Sequence, residues 1–203
     1  MTTPPDLRVV ASACRAALEP LTDRDWTVPA GDLEWSCRYT LGHMQNAVLF
    51  YAVNLATRST ARRSSGESNL ELSLEDLIVS LEGRAFALAE VVGAAPDNAL
   101  GFHGQGPADR SGFAAMGCDE MLVHTFDVLS GLGSSFEPPR DACDRTLARL
   151  FPWVRHDGDP WAALLWANGR AAWGERPRLS AEWGWHCKPL SQWDGKDPSG
   201  AWV

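Results

Sequence analysis

Four stretches in the first 130 residues carry apolar side chains at helical spacing, and no other feature limits the fold so strongly. Between Asp6 and Leu21, the residues Leu7, Val10, Ala11, Cys14, Ala17, Leu18 and Leu21 recur at i, i+3, i+4 and i+7, as in an amphipathic helix. Ser36 can cap a second helix that runs to about Thr57. Ser73, with Asp76 three residues on, resembles a capping box and opens a third that reaches about Val92. A fourth runs from about Phe113 to Ser130. Four long helices in this order read as a four-helix bundle in a mainly all-α chain.

The connections differ in character. Thr22–Trp35 carries Pro and Gly and reads as a loop, and "RSTARRSSGESN" (58–69) reads as a polar, mobile one. Gly93–Gly112 is long and rich in Gly and Pro, and loops of that length in compact domains are often functional. After the bundle, helices are expected over 139–150 and 161–173, the second with Asp159 as cap and Pro160 in its first turn. "RLSAEWGW" alternates as a short strand would. Eight of the ten Trp residues lie beyond residue 150. A segment so aromatic cannot stay exposed, so it should dock on the bundle beside any pocket there. The division expected is a bundle over 1–132 and a packed C-terminal helical and extended extension over 133–203.

The formal net charge of −8 argues against a nucleic-acid or anionic-membrane surface, because phosphate binding needs clustered Lys and Arg. Arg62–Arg63 is the one basic pair, set in the Ser-rich loop. No apolar run approaches the ~20 residues of a membrane span. The N-terminus lacks a basic stretch leading into an apolar one, and the five cysteines form no C-x-x-C pair, so a cytoplasmic protein with reduced thiols is expected.

The fourth helix carries the chemistry. In "GCDEMLVHTFDVL" (117–129), Glu120, His124 and Asp127 stand at i, i+4 and i+7, within an arc of about 60° at ~100° per residue. Met121, Val123 and Val128 flank that arc, which a solvated face would not show. Buried ionisable groups persist only when paired, hydrogen-bonded or bound to metal. On the second helix His43 shares a mostly apolar face with Thr40, Ala47, Phe50 and Asn54. His43, Glu120 and His124 together offer two imidazoles and a carboxylate, which suits a divalent metal with an open position. Asp127 would then accept from the far nitrogen of a ligating imidazole. The bland reading is a buried His–Glu hydrogen bond that fixes helix packing. His103 and His156 read as exposed loop histidines, and Cys37 and Cys118 as packing residues. Arg38, Arg84 and Arg110, with His186 in the tail, are the candidates for holding an acidic substrate or a thiol.

"EWSCRYTLGH" (34–43) resembles the Trp-x-x-Arg-x-x-x-x-His opening of the second helix in the DinB/YfiT-like bundle superfamily. "DEMLVHTFD" (119–127) resembles the Glu-x-x-x-His-x-x-Asp signature of its mycothiol-dependent maleylpyruvate isomerase branch, and the likeness spans roughly residues 5–132. The resemblance implies a DinB-like four-helix bundle with His43, Glu120 and His124 as ligands of a divalent metal, usually zinc. It also implies mycothiol as cosubstrate, and 16 Arg against 2 Lys is compatible with an actinobacterial source. The implied activity is isomerisation of, or thiol transfer to, a small electrophile. The alternatives are a metal-dependent hydrolase on the same fold, or a non-enzymatic binding or stress-response bundle with a vestigial site. A fourth ligand from His103 or His186 would favour the last. The partners expected are a small-molecule substrate and a thiol, and the Trp-rich tail would stand in for the isomerase's own C-terminal domain.

Overall fold

The computed structural model describes residues 1–180 and 183–197. Its long helices are α1 (Pro4–Leu18), α2 (Cys37–Thr57), α3 (Leu74–Ala94) and α4 (Arg110–Gly131), followed by the shorter α5 (Arg140–Leu150) and α6 (Pro160–Ala167). α1 and α2 each pack on both α3 and α4, so they occupy diagonal corners of a four-helix bundle. α5 lies on α4, and α6 lies on α5. Among the described residues no helix is long and apolar enough to cross a membrane.

Local chemistry starts each of the four long helices. The Thr3 N–H and hydroxyl both donate to Asp6, at 2.8 and 2.7 Å, and Pro4–Pro5 fit the first turn, so α1 begins two residues before the expected point. Ser36 accepts from the Tyr39 N–H at 3.2 Å and Ser73 from the Asp76 N–H at 3.1 Å, as their spacing predicts. α4 begins three residues earlier than expected because Asp109 caps it, accepting from the Gly112 N–H at 2.7 Å.

Three segments depart from expectation. The long 93–112 connection holds a two-stranded hairpin, Leu100–Gly101 (β1) paired antiparallel with Ala108–Asp109 (β2), which sits against α2. α6 stops at Ala167, not at Trp173. Gly169 takes a left-handed φ of 65°, its N–H donates to the Trp166 carbonyl, and the Arg170 N–H reaches the Leu165 carbonyl. That pair of bonds is a Schellman close, and its left-handed residue favours glycine. Around "RLSAEWGW", residues 178–180 and 183–185 form no strand, while 181–182 lie outside the described residues.

The 58–73 connection is not loose. Asn54, fully buried on α2, donates to the Arg63 carbonyl at 3.2 Å and accepts the Arg63 N–H at 3.0 Å. Asn46 accepts the Ser68 N–H at 2.7 Å, and Arg38 donates to the Leu70 carbonyl at 2.8 and 2.6 Å. Backbone groups tied to a helix in this way make the loop a fixed wall.

The C-terminal segment is fastened through Arg149 of α5, a fully buried guanidinium. It donates to Ser111 and Asp109 at the start of α4, each at 2.9 Å, and to the carbonyls of His186, Cys187 and Lys188 at 3.0, 3.2 and 3.0 Å. Gly112 makes room for this, since a Cβ there would stand 2.6 Å from Arg149 Nη2 and 2.7 Å from the Cys187 carbonyl oxygen.

Candidate metal centre

His43 sits two turns into α2, and Glu120, His124 and Asp127 line one stripe of α4. The α2–α4 packing turns the two sets toward each other. Glu120 Oε2 lies 3.3 Å from His43 Nε2 and 3.4 Å from His124 Nε2. All three atoms fall within 4.8 Å of one another, and among the described residues no other His, Cys, Asp or Glu joins them. Bonds of ~2.0–2.1 Å in a tetrahedral zinc site imply ligand–ligand edges of about 3.3–3.4 Å, so two of the three edges already fit.

The surroundings aim each donor. Tyr51, eight residues after His43 on α2, donates its hydroxyl to Glu120 Oε1 at 2.9 Å and leaves Oε2 facing the imidazoles. Burial and the adjacent Glu120 charge push the Tyr51 pKa well above its usual value, so it stays a phenol. His124 Nδ1 lies 2.9 Å from Asp127 Oδ2, which directs Nε2 toward Glu120. Trp35 packs against both imidazoles, 4.8 Å from the His43 ring and 6.2 Å from that of His124.

Electrostatics follow from this packing. Burial would raise the Glu120 pKa, but hydrogen bonds to His124 and His43 outweigh it and hold the carboxyl far below its usual range. Burial would lower that of His124, and here the bonds to Asp127 and Glu120 win and raise it. The packing thus favours the charged form of both the Glu120 carboxyl and the His124 imidazole.

Asp127 has a second partner that no helical period predicts. Arg170, placed by the turn that closes α6, donates to Asp127 Oδ1 at 3.0 Å and to Oδ2 at 2.9 Å. Asn168 in the same turn donates to Asp119 Oδ1 at 3.0 Å. Burial pushes the Asp119 pKa up to about 7.

Two cavities meet at the site. The smaller, about 260 Å³, is bounded by His43, Glu120, His124, Asp119, Arg170 and the tail residues Trp183 and Trp185. The larger, about 730 Å³, shares His43 and Glu120 and extends along α2 under the 62–67 loop. His103, expected in solvent, lines that cavity instead. The hairpin places its ring 6.0 Å from Tyr51 and 6.1 Å from Trp185, and burial lowers its pKa.

The other expected binding residues lie elsewhere. Arg84 donates to Ser68 at 2.9 Å, Arg110 pairs with Asp97, and Arg38 holds the 70–72 backbone. None of them lines either cavity. His186 lies in a neighbouring hollow with Lys188 and Asp194, 3.3 Å from the Pro189 carbonyl oxygen. Neither His103 nor His186 closes a fourth position at the triad. Cys37 packs on the backbone of α4, its thiol pKa pushed up to about 11 by burial.

Residues 7–129 match the family model described as the mycothiol maleylpyruvate isomerase N-terminal domain. No curated protein matches the chain, and no solved structure does.

Proposed function

Since the chain belongs to the mycothiol maleylpyruvate isomerase N-terminal domain family, we propose that it is a metal-dependent enzyme that uses mycothiol on a small electrophile. His43, Glu120 and His124 hold a divalent metal, zinc by the donor set. The observation that carries this reading is the convergence of His43 Nε2, His124 Nε2 and Glu120 Oε2 with no fourth protein ligand among the described residues. A structural zinc site is closed by four protein ligands, whereas a three-ligand set leaves room for a reactant. Bound there, the metal supplies the Lewis acidity that keeps a thiol sulfur as its nucleophilic thiolate.

The chain's own residues do the rest. Tyr51 fixes the rotation of Glu120, and Asp127 fixes that of His124. Trp183 and Trp185 line the smaller cavity and offer flat apolar walls. In isomerisation the sulfur adds to one alkene carbon of the electrophile, and the π pair moves onto a conjugated carbonyl oxygen. The former double bond rotates, and the pair returns as the sulfur leaves, with no net redox change. In transfer the sulfur displaces a leaving group and stays on carbon.

The test starts from protein purified without chelator. About one zinc per chain is expected, together with mycothiol-dependent turnover of maleylpyruvate (isomerisation) or of an activated alkyl halide (transfer). Turnover that persists without thiol moves the reading to hydrolysis. Absence of bound metal under all loading conditions removes the enzyme reading.

A further inference from the structure

The two cavities open onto His43 and Glu120 from different sides and differ in size and lining. The smaller, at about 260 Å³, lies below the ~300–1,000 Å³ range of pockets that hold drug-sized ligands, and the larger, at about 730 Å³, lies within it. A bulky thiol and a small electrophile are therefore not interchangeable between them. We propose that the larger cavity is the thiol site, with the 62–67 loop and the adjacent face of α2 binding the hydroxyl-rich body of the thiol, and that the smaller cavity receives the electrophile. This rests on the thiol-dependent reading above and goes beyond it by assigning each substrate its place.

The lining supports the assignment. Arg62, Arg63, Ser64, Ser65 and Asn46 give the larger cavity a dense set of donors and acceptors, as a polyhydroxylated ligand requires. Arg62 holds its guanidinium 5.6 Å over the Phe50 ring, which makes a flat wall with polar edges. The two hydrogen bonds between Asn54 and the Arg63 backbone fix that wall before any ligand arrives, so little ordering cost falls on binding. His103 lines the same cavity, and burial favours its neutral imidazole, which can take the proton a thiol gives up on becoming a thiolate. The smaller cavity has fewer uncommitted polar groups. Asn168 is engaged with Asp119 and the Leu164 carbonyl, and Arg170 with Asp127, so Gln105 is the neutral donor there that can meet an oxygen of a small planar molecule lying against the tryptophans.

The test is calorimetric titration of mycothiol into the zinc-loaded full chain, comparing wild type with R62A/R63A and with Gln105→Ala. Both variants alter exposed loop residues, so folding is retained, and circular dichroism checks it. The expected result is a Kd raised about tenfold or more in R62A/R63A, from the loss of charge-assisted hydrogen bonds, and unchanged within twofold in Gln105→Ala. The same R62A/R63A protein should show a raised KM for mycothiol with an unchanged KM for the electrophile. Wild-type binding that survives intact in R62A/R63A overturns the assignment and leaves the thiol reading standing. Weakening in Gln105→Ala alone places the thiol in the smaller cavity. A wild-type chain that takes zinc but no mycothiol overturns both.

Discussion

Arg170 grips Asp127 through two parallel hydrogen bonds, 3.0 Å to Oδ1 and 2.9 Å to Oδ2, across 43 residues of sequence. Asp127 in turn meets His124 Nδ1 at 2.9 Å, so the C-terminal segment reaches the candidate metal centre through a chain of two contacts. Partners of this kind set the orientation and basicity of a ligating imidazole, and their loss costs about 10–100-fold in metal affinity. Asp127→Ala should weaken zinc binding by that factor. Arg170→Met, which leaves the carboxylate in place but frees it to turn, should produce a smaller loss. Competition with a chromophoric chelator measures both. Wild-type affinity in Asp127→Ala would show that His124 is positioned by packing alone.

His43→Ala and His124→Ala address the proposed ligands themselves. Each removes one of three donors, so stoichiometric zinc and thiol-dependent turnover should both disappear. The bundle should persist, because most helical stability comes from packed apolar faces. Elemental analysis beside far-ultraviolet dichroism separates these outcomes. A variant that keeps one zinc per chain without activity moves the ligand role to another side chain.

What the sequence reveals here follows the range of each interaction. Ser36, Ser73 and Asp159 act on N–H groups two or three residues away, and their caps are legible from spacing. The stripe of Glu120, His124 and Asp127 is legible because one helical face carries it, and His43 because its own face is apolar. Tyr51 was within reach of the same logic, eight residues after His43 on α2, but a tyrosine among apolar residues passes for core. Asp109 hides in a stretch rich in Gly and Pro. The Asn168–Gly169 stop hides because Ala171, Ala172 and Trp173 continue the apolar pattern. Arg170, Asn168, Trp183 and Trp185 meet the site only through tertiary packing, and no period encodes that. Arg84 and Arg110 show the converse, since the partners that engage them, Ser68 and Asp97, were equally invisible.

Acid should loosen the junction of α1 and α5. Asp6 is buried and accepts from Arg145 Nε and Nη2 at 2.9 and 2.6 Å as well as from Thr3. Burial alone would raise its pKa, but the Arg145 and Thr3 bonds outweigh it and hold it below the usual carboxylate value. A depressed carboxylate stabilises the fold above its unfolded pKa and loses that contribution as pH falls through the folded value. The urea midpoint of the wild type should therefore be insensitive to this group above about pH 5 and fall below pH 4. Asp6→Asn should start lower, and its gap from wild type should close at acid pH. A gap that stays constant down to pH 2 would assign the loss to altered capping geometry in place of ionisation.

Arg149 makes the strongest claim on stability. Its guanidinium is fully buried, and it joins Asp109, the cap of α4, to the backbone of residues 186–188. Arg149→Met keeps much of the side-chain volume and removes every one of these bonds. It leaves the Asp109 carboxylate, whose side chain is 17% exposed, without its counter-charge and takes the guanidinium donor from three carbonyl oxygens. Removing one partner of a buried pair costs about 3–5 kcal/mol, more than an apolar replacement of the whole pair would. Arg149→Lys should recover little, since an ammonium cannot span acceptors arranged for a planar fork. The expected result in denaturant titration is a large drop in midpoint for both variants. Limited proteolysis should cut after Lys188 or Lys196 sooner than in wild type, because the tail has lost its fastening. With the tail released, Trp185 no longer walls the smaller cavity, so kcat/KM for the electrophile should fall while the triad still holds zinc. If the tail stays protected in Arg149→Met, then Trp183 and Trp185 hold it by packing, and the buried arginine serves α4 alone.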